Sequence, residues 1–304
     1  RVRHPVPASV RPARILWEQT ALAAEAVRRR LDVLFNPGFT APVAAPVPNV
    51  TVFHDLQHWR HPEHFRWFDL PAWRLMLWAS AHRSQHIVTP SEAARADVLA
   101  CYGLDPARVT TVEHGVDERF FAIEREAVEP ELLCVSTLHP HKNIERLVRA
   151  FARFRTAHPE YRLVLAGMKG FQTDAVEQQV AALGLAGAVR ITGWIPREEL
   201  YGLYRRARGF VYPSTFEGFG MPVLEALAAG IPTACSSIEP LRTITGGAAV
   251  LFPPEDEEAM ARAMEELLLR PPKDPAGPAQ AGRYRWKRTA EQTLSVLYRS
   301  TSSS

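Results

Sequence analysis

The sequence predicts an α/β protein built from two domains, each with a parallel sheet. From residue 131 onward, short apolar runs rich in β-branched residues alternate with amphipathic runs of helical period. Alternation of this length means parallel strands joined by helical crossovers, with helices on both faces of the sheet. A less complete alternation of the same kind fills the first 127 residues, and a chain of 304 residues has enough length for two cores.

In the first part, LDVLF (31–35), VTVF (50–53), HIVT (86–89) and VTTV (109–112) are predicted strands. SEAARADVLACY (91–102) is a predicted helix with Ser91 as its N-cap. The loop NPGFTAPVAAPVPN (36–49) is rich in proline, and the change near IEREAVEP (123–130) marks the expected linker. In the second part the predicted strands are 131–137, 161–167, 188–192, 209–213, 232–236 and 248–252. The predicted helices are 143–157, 174–185, 197–207 and 255–270. The last of these carries acids in its first turn and Arg270 in its last, as the helix dipole favours. RPPKDPAGPAQAG (270–282) reads as a breaker-rich connection before a final helix at 286–299. The expected domains are thus 1–127, 128–285 and a closing helix, 286–304, that returns to the first domain.

Bulk properties exclude several classes. A net charge of +3 gives no argument for a nucleic-acid partner. No apolar run reaches the ~18 residues that a membrane span needs, and no signal peptide is expected. Three scattered cysteines, Cys101, Cys134 and Cys235, without a C-x-x-C pair, read as small apolar residues of a reducing compartment.

The stretch EGFGMPVLEALAAGIP (217–232) carries the chemistry. Pro222 suits the first turn of a helix, Gly230 its C′ position, and Pro232 stops continuation. The loop EGFGM therefore joins the strand GFVYP to a short helix, at the carboxyl end of a parallel strand, where ligands bind. Backbone N–H groups and the helix dipole favour an anion such as a diphosphate there, and glycines let it approach closely. Glu225, in the first turns, is placed to accept two hydrogen bonds from a ribose diol, and Glu217 to hold a second hydroxyl group. Taken alone, such a pair of acids reads more simply as an N-terminal acid and a surface glutamate.

The segment PSTFEGFGMPVLEALAAGIP resembles the signature of glycosyltransferase family 4, the group 1 retaining glycosyltransferases with the GT-B fold. STLHPHKNIERLVRAFARF, RLVLAG, VRITGWIPREELYGLYRRA and KRTAEQTLSVLYR are similar to further parts of the C-terminal domain. VTVFHDL, HIVTPSEAARADV and TTVEHGVDERFF resemble the N-terminal one. The resemblance covers roughly residues 14–300 and is nearest to the bacterial mannosyl- and rhamnosyltransferase-like branch.

That resemblance implies roles. Glu217 contacts the donor sugar, and Glu225 binds the nucleotide ribose. Backbone around Gly218, Phe219, Gly220, Met221 and Val223 holds the diphosphate. Lys142 neutralises the departing diphosphate, and its own position between a strand and a helix suits a phosphate. His54 faces the donor sugar from the other domain, so that Glu217 and His54 would meet across an interdomain cleft. Trp194 and Ile195 pack near the nucleobase. The implied reaction is transfer with retention from a GDP- or UDP-linked hexose, mannose-like favoured, to a glycan or lipid-linked acceptor. No metal and no other cofactor are implied. The four histidines of HDLQHWRHPEHF lack regular ligand spacing.

Two departures stand out. Where the family often has an arginine near the lysine, this chain has Thr137 and His141, so His141 is a titratable donor-side partner. About 60–80 residues of the usual N-terminal βα units are also not seen before RPARILWEQ. Either the sequence is trimmed there or the domain is reduced, and the latter motivates a second reading, a non-catalytic nucleotide-sugar-binding chain with a reduced acceptor domain. The expected location is cytoplasmic. HWRHPEHFRWFDLPAWRLMLW (58–78) and the seven arginines against two glutamates of the first thirty residues are compatible with docking on anionic membrane. The ordinary alternative is a helix burying Trp73 and Leu77.

Overall fold

A computed structural model of the chain describes residues 11–125 and 127–301. The chain forms two compact units. The first runs to Glu113 and resumes at Lys287, and the second is His114–Trp286.

In the first unit, β1 (Leu34–Asn36), β2 (Asn49–Val52), β3 (His86–Thr89) and β4 (Val109–Thr111) form one parallel sheet in the order β1-β2-β3-β4. Successive strand residues point to opposite faces. Ile87 packs with Phe53, Leu77, Ala81, Val98 and Tyr102 on one side. Its neighbour Val88 packs with Val50, Val52, Val112 and Val296 on the other. Val296 comes from the final helix, Trp286–Thr301, which is why the chain beyond Lys287 belongs to the first unit. Ser91 caps the helix Glu92–Tyr102, its hydroxyl accepting from the Ala94 amide at 3.0 Å.

In the second unit, β5 (Glu129–Val135), β6 (Arg162–Ala166), β7 (Val189–Gly193), β8 (Ala207–Tyr212), β9 (Thr233–Ser236) and β10 (Val250–Phe252) are all parallel, in the order β10-β9-β8-β5-β6-β7. The helix Ile144–Ala157 buries Ile144, Leu147, Val148, Phe151 and Phe154, a stripe at helical spacing against the sheet. The chain builds outward from β5 through β6 to β7, then returns to lay β8 on the other side of β5. The loops leaving β5 and β8 therefore flank the point where strand order reverses, the usual place for a ligand in an open parallel sheet.

Three details differ from the sequence expectation. The segment from His114 to Arg125 packs in the second unit, so the expected boundary at 127 and linker at 123–130 fall inside it. Phe120 stacks edge-on against Tyr201 and Tyr204, and Ile123 is buried. The buried Arg125 guanidinium donates to the carbonyls of Tyr204 (2.6 Å), Ala207 (2.7 Å) and Pro272 (2.8 Å). That clamp ties the segment to the helix Arg197–Arg206, to β8 and to the loop at Pro272. Within 270–282, Ala276–Ala281 forms a helix, with Gly277 against the backbone of Leu227, where a Cβ would meet the Leu227 carbonyl at 2.6 Å. The stretch 58–78 contains the helix Leu70–Arg83, which buries Leu77 but leaves Trp73 only half-buried and Trp78 exposed.

Cys134 and Cys235 are buried, and burial pushes both thiols up to about 12, so they serve as small apolar side chains. Among the described residues, no helix is long and apolar enough to cross a membrane. Of the basic N-terminal stretch, residues 1–10 lie outside the described residues.

Candidate active site

Strand β5 ends at Val135, and its loop turns into the helix Ile144–Ala157 through a single 3-10 turn, Pro140–Lys142. Asn143 closes that turn in the left-handed region (φ 59°), where Asn is tolerated better than most residues. Its side-chain amide donates to the carbonyls of Pro213 (3.0 Å) and Pro254 (2.7 Å). The loop after β8 is tied to the same turn. The His141 carbonyl accepts from the Thr215 amide at 2.8 Å and from the Ser214 hydroxyl at 3.0 Å. Two loops some seventy residues apart in sequence thus form one rigid frame. His141 itself is buried, with its ring stacked on His139 at 6.0 Å, so it supports this frame through its backbone.

The frame brings Lys142 and Glu217 together. The lysine Nζ lies 2.6 Å from Glu217 Oε1 and donates at 3.1 Å to the Tyr212 hydroxyl. Only 16% of the lysine side chain and 10% of the glutamate side chain are exposed. Tyr212 is the last residue of β8 and is fully enclosed. Burial and the charge of Glu217 push its phenol well above the usual range, so it stays protonated. Sequence reasoning did not single out Tyr212. Its signal was an aromatic at the last strand position before the loop.

The second acid is held by a second tyrosine. Tyr204, buried on the helix Arg197–Arg206, donates its hydroxyl to Glu225 Oε2 at 3.0 Å. Burial pushes the Glu225 carboxyl up to about 7, while the Tyr204 hydrogen bond pulls the other way. Tyr204 too was missed, because its distance from Glu225 in sequence hides their contact.

Between the two acids lies the start of the helix Met221–Ala228, with Pro222 in its first turn and no side-chain cap. Gly220 precedes it at φ 109°, where a Cβ would meet Leu241 Cδ2 at 2.4 Å, so both conformation and space call for glycine. The Val223 amide donates to the Gly220 carbonyl at 3.1 Å and belongs to the helix's own first turn. Gly220 and Met221 are then the amides best placed to meet an anion. Gly218 is half-buried in the loop. Phe219 is 5% exposed and packs edge-on against His114 (5.2 Å) and Tyr284 (6.0 Å). It anchors the loop from below rather than presenting its ring to a ligand. Trp194 and Ile195 follow β7 at the sheet edge, Trp194 72% exposed and Ile195 packed against the core. Thr137 is half-buried in the loop after β5.

In the first unit, His54 follows β2 and is half-buried, at the carboxyl end of its own sheet. Its Nε2 bonds the Pro37 carbonyl at 2.7 Å and its ring meets Phe39 edge-on at 5.4 Å.

Two parallel-sheet units of this kind place the chain in the GT-B class of glycosyltransferase folds. The sucrose-phosphate synthase of Thermosynechococcus elongatus superposes with a TM-score of 0.78 at 20% identity, over 98% of this chain and 81% of that one. The Anabaena protein HepE, solved with UDP, superposes with a TM-score of 0.73 at 19% identity, over 91% and 82%. Residues 116–285 match the family model described as glycosyl transferases group 1, and residues 1–120 that described as Glycosyltransferase Family 4. The chain belongs to the group 1 glycosyltransferases. It is 28% identical over 263 residues to O-antigen chain mannosyltransferase B of Escherichia coli, across 81% of this chain and 69% of that protein. It is 26% identical over 218 residues to O-antigen chain mannosyltransferase RfbU of Salmonella typhimurium, across 72% and 60%. With the glycogen synthase of Mycobacterium tuberculosis it shares 32% identity over 227 residues, 70% of this chain and 54% of that enzyme. The matched stretch thus spans between 54% and 69% of these relatives' own lengths.

Proposed function

We propose that the chain is a retaining hexosyltransferase that moves a sugar from a GDP- or UDP-linked donor to a glycan or lipid-linked acceptor. The observation that carries this reading is the Lys142–Glu217–Tyr212 cluster at the strand-order switch point, followed by the short helix that carries Glu225. Glu217 holds the donor sugar through its hydroxyl groups, and Glu225 reads the ribose. The amides of Gly220 and Met221 receive the diphosphate, and Lys142 stabilises it as the glycosidic bond breaks. Positive charge fixed where negative charge develops is the largest lever such a site has. The leaving phosphate accepts the acceptor's proton as the new bond forms on the face it vacates. Lys142 supplies the charge stabilisation, so no metal or other cofactor is assigned to transfer. His54 is assigned to the sugar on the strength of the family resemblance. A mannose-like sugar is favoured by similarity to the two O-antigen chain mannosyltransferases.

A thermal-shift screen of nucleotides and nucleotide sugars tests this. A donor at about 100 times its Kd adds about 2.7 kcal/mol of stability, which raises Tm by roughly 5–10 °C for units of this size. No shift with any GDP- or UDP-linked sugar would overturn the reading. Binding with no sugar transferred or hydrolysed would leave a nucleotide-sugar binder without catalysis.

The same reading places the chain in the cytoplasm, docked on the anionic inner face of a membrane that holds its acceptor. The support is a patch in the first unit. Trp67 is 83% exposed, Phe68 56%, Leu75 68% and Trp78 51%, with Arg66, Arg74 and Arg83 exposed among them. Exposed aromatics interleaved with arginines match the headgroup layer of anionic lipid. In flotation experiments the protein should rise with phosphatidylglycerol-containing vesicles and remain behind with phosphatidylcholine alone. The double variant Trp67→Ser, Trp78→Ser should lose that association. Equal behaviour with both vesicle types would refute the docking.

A further inference from the structure

We propose that His61, Glu63 and His64 form a binding site for a divalent transition-metal ion, separate from the sugar-transfer residues. The four histidines of the segment 54–64 have different fates. His54 bonds the Pro37 carbonyl. His58 is buried, with its Nε2 3.3 Å from the Tyr102 hydroxyl. The remaining two come together. A short helix, Gln57–Arg60, ends at His61, and Pro62 opens the 3-10 turn Pro62–His64. Proline fixes the backbone at the turn's first position, so the side chains on either side of it are held in register.

That turn stacks the His61 and His64 rings at 5.2 Å with only 13° between their planes. Both face one carboxylate oxygen, with His61 Nδ1 at 3.0 Å and His64 Nε2 at 3.8 Å from Glu63 Oε1. One potential ligand atom from each residue lies within 4.8 Å of the other two, and among the described residues this is the one such group of three. Tetrahedral donors at about 2.0–2.2 Å from an ion lie roughly 3.3–3.6 Å from one another, so the His61–Glu63 pair would open slightly and the wider separations close to admit one. The histidine side chains are 28% and 17% exposed, and the glutamate 60%. The site is thus open to solvent on one side and walled by rings on the other.

The donor set selects the ion. Two imidazoles and one carboxylate suit zinc, cobalt or nickel, whereas magnesium and calcium require mainly oxygen ligands. Three protein ligands leave a further position for water or for an oxygen of a bound molecule. Binding would lock the turn that leads directly into the exposed Arg66–Trp67–Phe68 segment.

The test uses the tag-free chain stripped with EDTA and titrated with zinc, and with cobalt for its absorption spectrum. The expected result is one equivalent per chain, with visible bands from cobalt in a low-symmetry site. Affinity should fall by about tenfold or more in His61→Ala and in Glu63→Gln, and stay unchanged in His82→Ala. Circular dichroism and Tm in EDTA should match the parent. If His64→Ala fails to fold, the two more exposed positions still decide the matter. No saturable binding, or binding that survives His61→Ala with Glu63→Gln, would overturn the proposal.

Discussion

Replacing Lys142 with alanine lowers kcat for sugar transfer by about 10²–10³-fold while changing KM for the donor far less. The reason lies in what the ammonium touches. It rests on Glu217 at 2.6 Å and on the Tyr212 hydroxyl at 3.1 Å, with most of both charged side chains buried. In the proposed reaction its charge would be fixed in place before the diphosphate leaves, and its gain largest when negative charge has accumulated there. Glu217→Gln removes the lysine's nearest countercharge together with the proposed sugar contact. The two losses should therefore be strongly non-additive in a double-mutant cycle. Steady-state kinetics of the two single variants and the double variant check this. A pure KM effect in Lys142→Ala would mean that the lysine only anchors the bound donor.

Glu225→Ala weakens binding of the nucleotide diphosphate by about 1–3 kcal/mol, the cost of leaving polar partners unpaired. Calorimetric titration measures it, and unchanged affinity would remove Glu225 from the ribose. The same residue makes binding depend on pH. In the proposed role the ionised carboxylate would accept the ribose hydroxyls, and burial holds its pKa at about 7. Affinity should therefore rise with pH through about 7. Stability of the ligand-free protein runs the other way. The unfolded chain releases this proton near 4.5, whereas the folded protein keeps it to about 7. The folded state binds more protons between those values, so Glu225's contribution makes stability fall as pH rises across that window and level off above it. Glu225→Gln should flatten both dependences, and Tyr204→Phe should push the affinity midpoint upward, since the lost hydrogen bond favours the charged form.

The parallel-sheet class, most strands and the helix N-capped by Ser91 were legible in the sequence. Periodicity and capping are local, and the pattern of one segment suffices to read them. The placement of Glu217 and Glu225 on one strand–loop–helix passage was legible for a related reason, since that passage is continuous in sequence. The expected boundary near 127 failed because nothing local in IEREAVEP shows that Arg125 reaches carbonyls at Tyr204, Ala207 and Pro272. Nothing local around Phe219 shows that its ring packs against His114 and Tyr284.

The sequence by itself determined which residue types stand at the ends of the strands, because alternation fixes where each strand stops. Only the tertiary structure decided which of them meet. Sheet order sets β5 beside β8, and that adjacency joins Lys142 to Glu217 and Tyr212. Helix packing on the sheet sets Tyr204 against Glu225. A proline-led turn folds His61 and His64 onto one carboxylate, although their spacing matches no regular ligand pattern. Hydrogen bonds and ligand contacts act over about 3 Å, and it is folding, not chain spacing, that sets distances on that scale.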